Sequence, residues 1–170
     1  AEALGVALKL IGIDAHLNVL SEFDPHNLQP GAINVYDPGA LNITDVVVGQ
    51  LDELAGEASM LYNRQGAELA MTGQIHGLVT LPVTKASTKL AGYDYPGQAE
   101  YFAKLAGNLP FTTILIYRDF RAALFTTHMP LIEACSMVNK DNLLNKIKYL
   151  HAKRLDLGFP NLRLAIASLN

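Results

Sequence analysis

From Gln50 to about Met71, the residues Leu51, Leu54, Ala55, Ala58, Leu61, Tyr62, Leu69 and Ala70 recur at helical spacing. That pattern predicts a long amphipathic helix with one face packed on a sheet. Directly after it, Ile75-His76-Gly77-Leu78-Val79-Thr80-Leu81 forms a nearly continuous apolar run bounded by Gly73 and Pro82. A short run of this kind suits a strand buried on both faces, as in the middle of a parallel sheet. A long helix joined to a central strand restricts the fold to the α/β class.

The flanking sequence repeats the alternation. Apolar positions from Leu4 to Ile11 predict a helix ending near Gly12, and His16 to Leu20 reads as a short strand. A loop rich in Asp, Pro, Asn and Gly covers Ser21 to Gly31, then Ile33-Asn34-Val35-Tyr36 is a second short strand, followed by irregular surface to Asp45. Thr84 is placed to cap a short helix running to Ala91 through its hydroxyl, with Gly92 closing it. Ala99 to Ala106 has helical character, and Phe111–Tyr117 and Ala122–Thr126 read as a hairpin joined at Arg118-Asp119-Phe120. Leu143, Leu144, Ile147, Leu150 and Leu155 mark another helix before a final strand, Leu162–Ala167. Such alternation predicts a three-layer α/β/α sandwich. With no linker or repeat in sight, residues 1–170 read as one lobe, or as a fragment of a longer two-lobed protein.

At 170 residues and 50% hydrophobic, the chain can build a real core. Its net charge of −3 comes from interspersed charges of both signs, without a basic stripe to follow a phosphate backbone, so nucleic acid is a poor partner. No apolar run approaches the roughly 20 residues that cross a bilayer. The one cysteine, Cys135, cannot form an intrachain disulfide and fits a reducing, cytoplasmic setting; read structurally, it is a small buried hydrophobe. Both ends read as cut: Ala1-Glu2-Ala3 resembles a helix interior, and the chain stops directly after strand-like sequence.

Three clusters could carry chemistry. Thr80-Leu81-Pro82-Val83-Thr84-Lys85 stands where the strand gives way to a helix. In open α/β sheets ligands bind at that place, and Lys85 adds a positive charge there; the alternative is a capped turn with a solvent-facing lysine. Gly92-Tyr93-Asp94-Tyr95-Pro96-Gly97-Gln98-Ala99-Glu100 delivers an amide and a carboxylate at a helix start, either to a ligand or simply as helix-terminal residues. Thr126-Thr127-His128-Met129-Pro130 sets an imidazole after a strand, as a metal ligand, an acid–base group or a hydrogen-bonded structural residue. His16, His26, His76 and His151 lack such a setting, and no local nucleotide or zinc signature occurs.

In this order and spacing the clusters resemble the 4-hydroxythreonine-4-phosphate dehydrogenase family, the pyridoxal phosphate biosynthesis enzymes and their relatives acting on phosphorylated four-carbon acids. The resemblance is carried by Gly49-Gln50, Gly77 through Lys85, Ala91-Gly92 through Gly97 and Glu100, Arg121 through Pro130, and Leu164 through Asn170. It implies an α/β/α fold related to isocitrate and isopropylmalate dehydrogenases, homodimers with shared active sites, and use of NAD or NADP with a divalent metal, whether zinc, magnesium, manganese or cobalt. His128 matches the first of three histidine metal ligands, the others lying beyond Asn170. Gln98 and Ala99 occupy the positions of a substrate-binding His-Thr pair, exchanging a titratable ring for an amide and removing a hydroxyl. Lys85, with Thr84 beside it as a substrate-binding residue, falls in the strand-end motif, implying a catalytic role through contact with substrate or its phosphate, by neutralising charge or assisting proton transfer, or else support of the loop. The implied activity is oxidation of the hydroxyl of a phosphorylated hydroxy acid, with decarboxylation of the product. The alternative is a noncatalytic paralogue or lobe that binds a phosphorylated metabolite or mediates dimerisation.

Overall fold

A computed structural model of the chain describes residues 1–168. The chain divides into two compact units, Ala1–Leu109 and Pro110–Asn170.

In the first unit, helix α1 (Glu2–Leu10) leads to strand β1 (Leu17–Leu20), which pairs in parallel with β2 (Ile33–Tyr36) in the register Leu17 to Ile33 and Leu20 to Tyr36. A parallel pair needs a crossover, and here residues 21–32 supply it, with a 3-10 turn at Pro25–Asn27 started by the Asp24 carboxylate accepting from the His26 N–H. Helix α2 (Glu53–Met71) begins where Asp52 accepts from the Ala55 N–H at 2.9 Å. Two short helices follow, α3 (Lys85–Leu90) and α4 (Gln98–Leu105).

The buried residues of α2 are Gly56, Ala58, Met60, Asn63 and Ala67; Ala58 belongs to the predicted apolar face, but Leu51, Leu54 and Tyr62 of that face are exposed. The partners explain the offset, because α2 packs chiefly on α3 and α4, while β2 reaches it through the Tyr36 hydroxyl donating to Gln65. At Gly56 the backbone of α3 comes so close that a Cβ would sit 2.1 Å from the Ser87 carbonyl oxygen, so only glycine fits. Tyr101 of α4, 4% exposed, lies under this surface with its hydroxyl directed at the Met60 carbonyl, and the Tyr93 and Tyr95 rings meet it edge-on. Burial pushes the Tyr101 phenol above its ordinary pKa.

The predicted central strand Ile75–Leu81 is not a strand. Residues 76–83 make no backbone–backbone hydrogen bond among the described residues, and Val79 and Leu81 are 94% and 81% exposed. Its composition demands cover, but a ladder requires a neighbouring strand, and neither of the two described two-stranded sheets includes it.

In the second unit, β3 (Ile114–Tyr117) and β4 (Phe120–Ala123) form the expected antiparallel hairpin, with β4 beginning earlier than the apolar run suggested. Helix α5 (Leu131–Met137), which periodicity did not reveal, precedes α6 (Lys140–Ala152), capped by Asn139 accepting from the Asn142 N–H. Lys146 of α6 donates to the Thr112 hydroxyl at 2.7 Å, and partial burial pushes its ammonium below the ordinary lysine pKa. Cys135 is exposed, not a buried hydrophobe. Residues 162–168 carry no strand, and Leu169-Asn170, the end of the expected final motif, lie outside the described residues.

Candidate functional site

The first unit gathers two of the three clusters into one polar corner where residues 80–85 meet the start of α4. Gln98, the first residue of α4, donates through Nε2 to the Leu81 carbonyl at 3.2 Å and to Asn63 Oδ1 at 3.3 Å, while its Oε1 accepts from the Thr80 hydroxyl at 3.2 Å. Asn63 in turn donates to the Ser59 carbonyl at 3.0 Å. One amide thus ties α2, α4 and the apolar segment together.

Lys85 opens α3 and donates its ammonium to the Pro96 carbonyl, in the loop that leads to Gln98. It is exposed, as a solvent-facing lysine would be, but it is not free. An ammonium has three donors, so two stay available beside this bond. Thr84 stands at the N-cap position with extended backbone, φ −83° and ψ 102°, yet its hydroxyl makes no cap bond. The expected hydroxyl cap is therefore absent; the Thr84 carbonyl accepts the first helical bond from Thr88 at 3.0 Å, leaving the exposed side chain open. Ala99 is exposed on the first turn of α4. Glu100 follows it, and its Oε2 is buried without a hydrogen-bond partner among the described residues.

His128 belongs to the second unit, on the connection from β4 to α5. Its ring is exposed, and its φ of 54° is a left-handed conformation that histidine tolerates better than most residues. No group of three histidine, cysteine or acidic residues placed to hold a metal occurs among the described residues. One imidazole does not make a divalent-metal site.

The participant that sequence reasoning missed is Asn63. Its signal was present, as a polar amide in helical register with Gly56, Met60 and Ala67, and a polar residue on a buried face requires a partner.

In this α/β chain Gln98, Thr80 and, through the Pro96 carbonyl, Lys85 thus lie around the place where an apolar segment enters a helix. Residues 2–170 match the family described as Pyridoxal phosphate biosynthetic protein PdxA, and the chain belongs to that family. It is 28% identical over 164 residues to a protein of Symbiobacterium thermophilum whose provisional name is D-threonate 4-phosphate dehydrogenase, covering 96% of this chain and 49% of that protein. It is also 31% identical over 116 residues to a 4-hydroxythreonine-4-phosphate dehydrogenase of Aquifex aeolicus, covering 68% of this chain and 36% of that one. The crystal structure of a 4-hydroxythreonine-4-phosphate dehydrogenase from Klebsiella pneumoniae matches the whole chain with a TM-score of 0.87 at 25% identity, and 52% of that protein is covered. The chain spans about half the length of these first relatives. No helix among the described residues is long and apolar enough to cross a membrane.

Proposed function

We propose that residues 1–170 form one lobe of a longer, two-lobed NAD- or NADP-dependent dehydrogenase that oxidises the hydroxyl of a phosphorylated hydroxy acid of the 4-hydroxythreonine-4-phosphate type, with decarboxylation of the resulting keto acid. The observation that carries this reading is family membership over residues 2–170, supported by the Thr80–Gln98 bond and by Lys85 binding the Pro96 carbonyl two residues before Gln98. Lys85 offers its two free donors to the substrate's phosphate; Thr84, with an unused hydroxyl, and Gln98 orient the rest of the molecule. A bound nicotinamide cofactor would supply the hydride acceptor. A divalent metal is part of the reading with His128 as one of its donors, but a single donor does not fit a complete site, and no step is assigned to it. The working unit is a cytoplasmic homodimer.

The test is NAD(P) reduction by the full-length polypeptide with 4-hydroxythreonine 4-phosphate and with D-threonate 4-phosphate. Turnover with either is expected, with His128→Ala abolishing metal-dependent turnover and Lys85→Met raising KM for the phosphorylated acid. Phosphate-ester binding without cofactor reduction, unchanged in His128→Ala, would establish the noncatalytic binding lobe instead.

A further inference from the structure

The hydrogen bonds around Gln98 decide what kind of ligand group it can meet. A glutamine amide has two N–H donors and one oxygen with two lone pairs. Both donors are committed, to the Leu81 carbonyl and to Asn63 Oδ1, and one lone pair accepts from Thr80. The orientation of each amide is dictated by chemistry. The Leu81 and Ser59 carbonyl oxygens can only accept, so the NH2 groups of Gln98 and Asn63 must face them, which turns Asn63 Oδ1 toward Gln98. Turning the Gln98 amide over would set its oxygen against two acceptors and lose both of those bonds, the Thr80 hydroxyl alone being able to reverse its role and accept.

We propose that Gln98 is an acceptor-only specificity determinant, held in one orientation by Asn63 as a positioning residue. The ligand group it meets is then a hydrogen-bond donor, a hydroxyl or an ammonium, and not a phosphate or carboxylate oxygen. This inference rests on the reading of the corner as the ligand site. It divides the labour there: an anionic group goes to the spare donors of Lys85, and a neutral or cationic donor to the remaining lone pair of Gln98. The position where the family resemblance implies a histidine thus keeps a role in recognition with its donor capacity spent inside the protein.

The experiment is side-chain hydrogen exchange of the full-length polypeptide labelled with ¹⁵N at glutamine amides, the Gln98 signal being assigned from its loss in Gln98→Met. In the wild type both Gln98 amide protons should exchange slowly without ligand, and saturating inorganic phosphate should leave their rates unchanged. Asn63→Ala should speed one of them by about five-fold, the loss of one ordinary hydrogen bond. Phosphate should then slow it again, because a freed donor can reach an anion. Where the alanine variant does not fold, the wild-type rates with and without phosphate decide the proposal by themselves. Phosphate-induced protection in the wild type, or fast exchange without ligand, would overturn the proposal. Kinetics separate it from the functional reading: Asn63→Ala should raise KM for D-threonate 4-phosphate with little change in kcat, and absence of turnover with any phosphorylated hydroxy acid would remove the dehydrogenase reading while the exchange rates still decide the role of Gln98.

Discussion

Replacing Gly56 by alanine sets two well-understood effects against each other. Alanine in a helix interior is favoured over glycine by about 1 kcal/mol, so helix propensity alone predicts a more stable protein. The new Cβ, however, would lie 2.1 Å from the Ser87 carbonyl oxygen, 2.4 Å from its carbon and 2.9 Å from the Thr88 nitrogen, all backbone atoms of α3. Ordinary contact begins at 3.4 Å, so α3 must retreat by more than 1 Å along that direction. The retreat stretches the bond in which the Asp52 N–H donates to Ser87 Oγ at 3.2 Å, worth about 1 kcal/mol. It also uncovers Ser87 and Thr88, both 6% exposed. Overpacking of this kind costs about 1–3 kcal/mol, and with the weakened Asp52–Ser87 bond offsetting the propensity gain the net loss is about 1–3 kcal/mol, read as a lower urea midpoint. Gly66→Ala is the internal control. There the nearest atom, at 2.7 Å, is the tip of the half-exposed Leu78 side chain, which can turn aside, so that variant should be neutral or slightly stabilised. Equal midpoints for wild type and Gly56→Ala, or a higher one for the variant, would refute the claim that the α2–α3 approach dictates this glycine.

Asp52→Ala removes the side chain that caps α2 and should cost about 1 kcal/mol in the same urea titration, whereas Asp52→Asn should cost little, since the amide oxygen still accepts from Ala55. Burial raises the Tyr101 phenol above 10.0, so the unfolded chain loses this proton first as pH rises. Its contribution is fully present below pH 10 and is lost as pH climbs through the folded value; urea midpoints measured across this alkaline range should fall, and Tyr101→Phe should flatten that fall.

Local signals were read well where neighbours in sequence decide the outcome. α1, β1, β2 and α4 fall within a few residues of their predicted spans, since spacing and turn residues act over one or two turns. The apolar run at 75–81 shows the limit of that logic. Hydrophobicity tells a segment to seek cover, but pairing depends on a partner distant in the chain, and none of the described strands provides it. The same applies to α2, whose helical state was evident but whose buried face was chosen by the close approach of α3 at Gly56. At the candidate site, Lys85 and Gln98 were visible as polar residues at element ends; that Lys85 binds the Pro96 carbonyl, and that Asn63 engages Gln98, depends on tertiary geometry. α5, only seven residues long, offers too few turns for a periodic contrast to show.

The uncovered run Ile75-His76-Gly77-Leu78-Val79-Thr80-Leu81 also has a practical side. It combines β-branched and leucine side chains, carries no acidic residue, lysine, arginine or proline, and leaves its main-chain donors and acceptors unladdered. Those are the conditions under which identical segments of separate molecules zip into cross-β stacks. A preparation of these residues alone should therefore be handled dilute and cold, and a charge introduced at Val79, which is 94% exposed, would act as a gatekeeper against precipitation without disturbing the Thr80 and Leu81 contacts to Gln98.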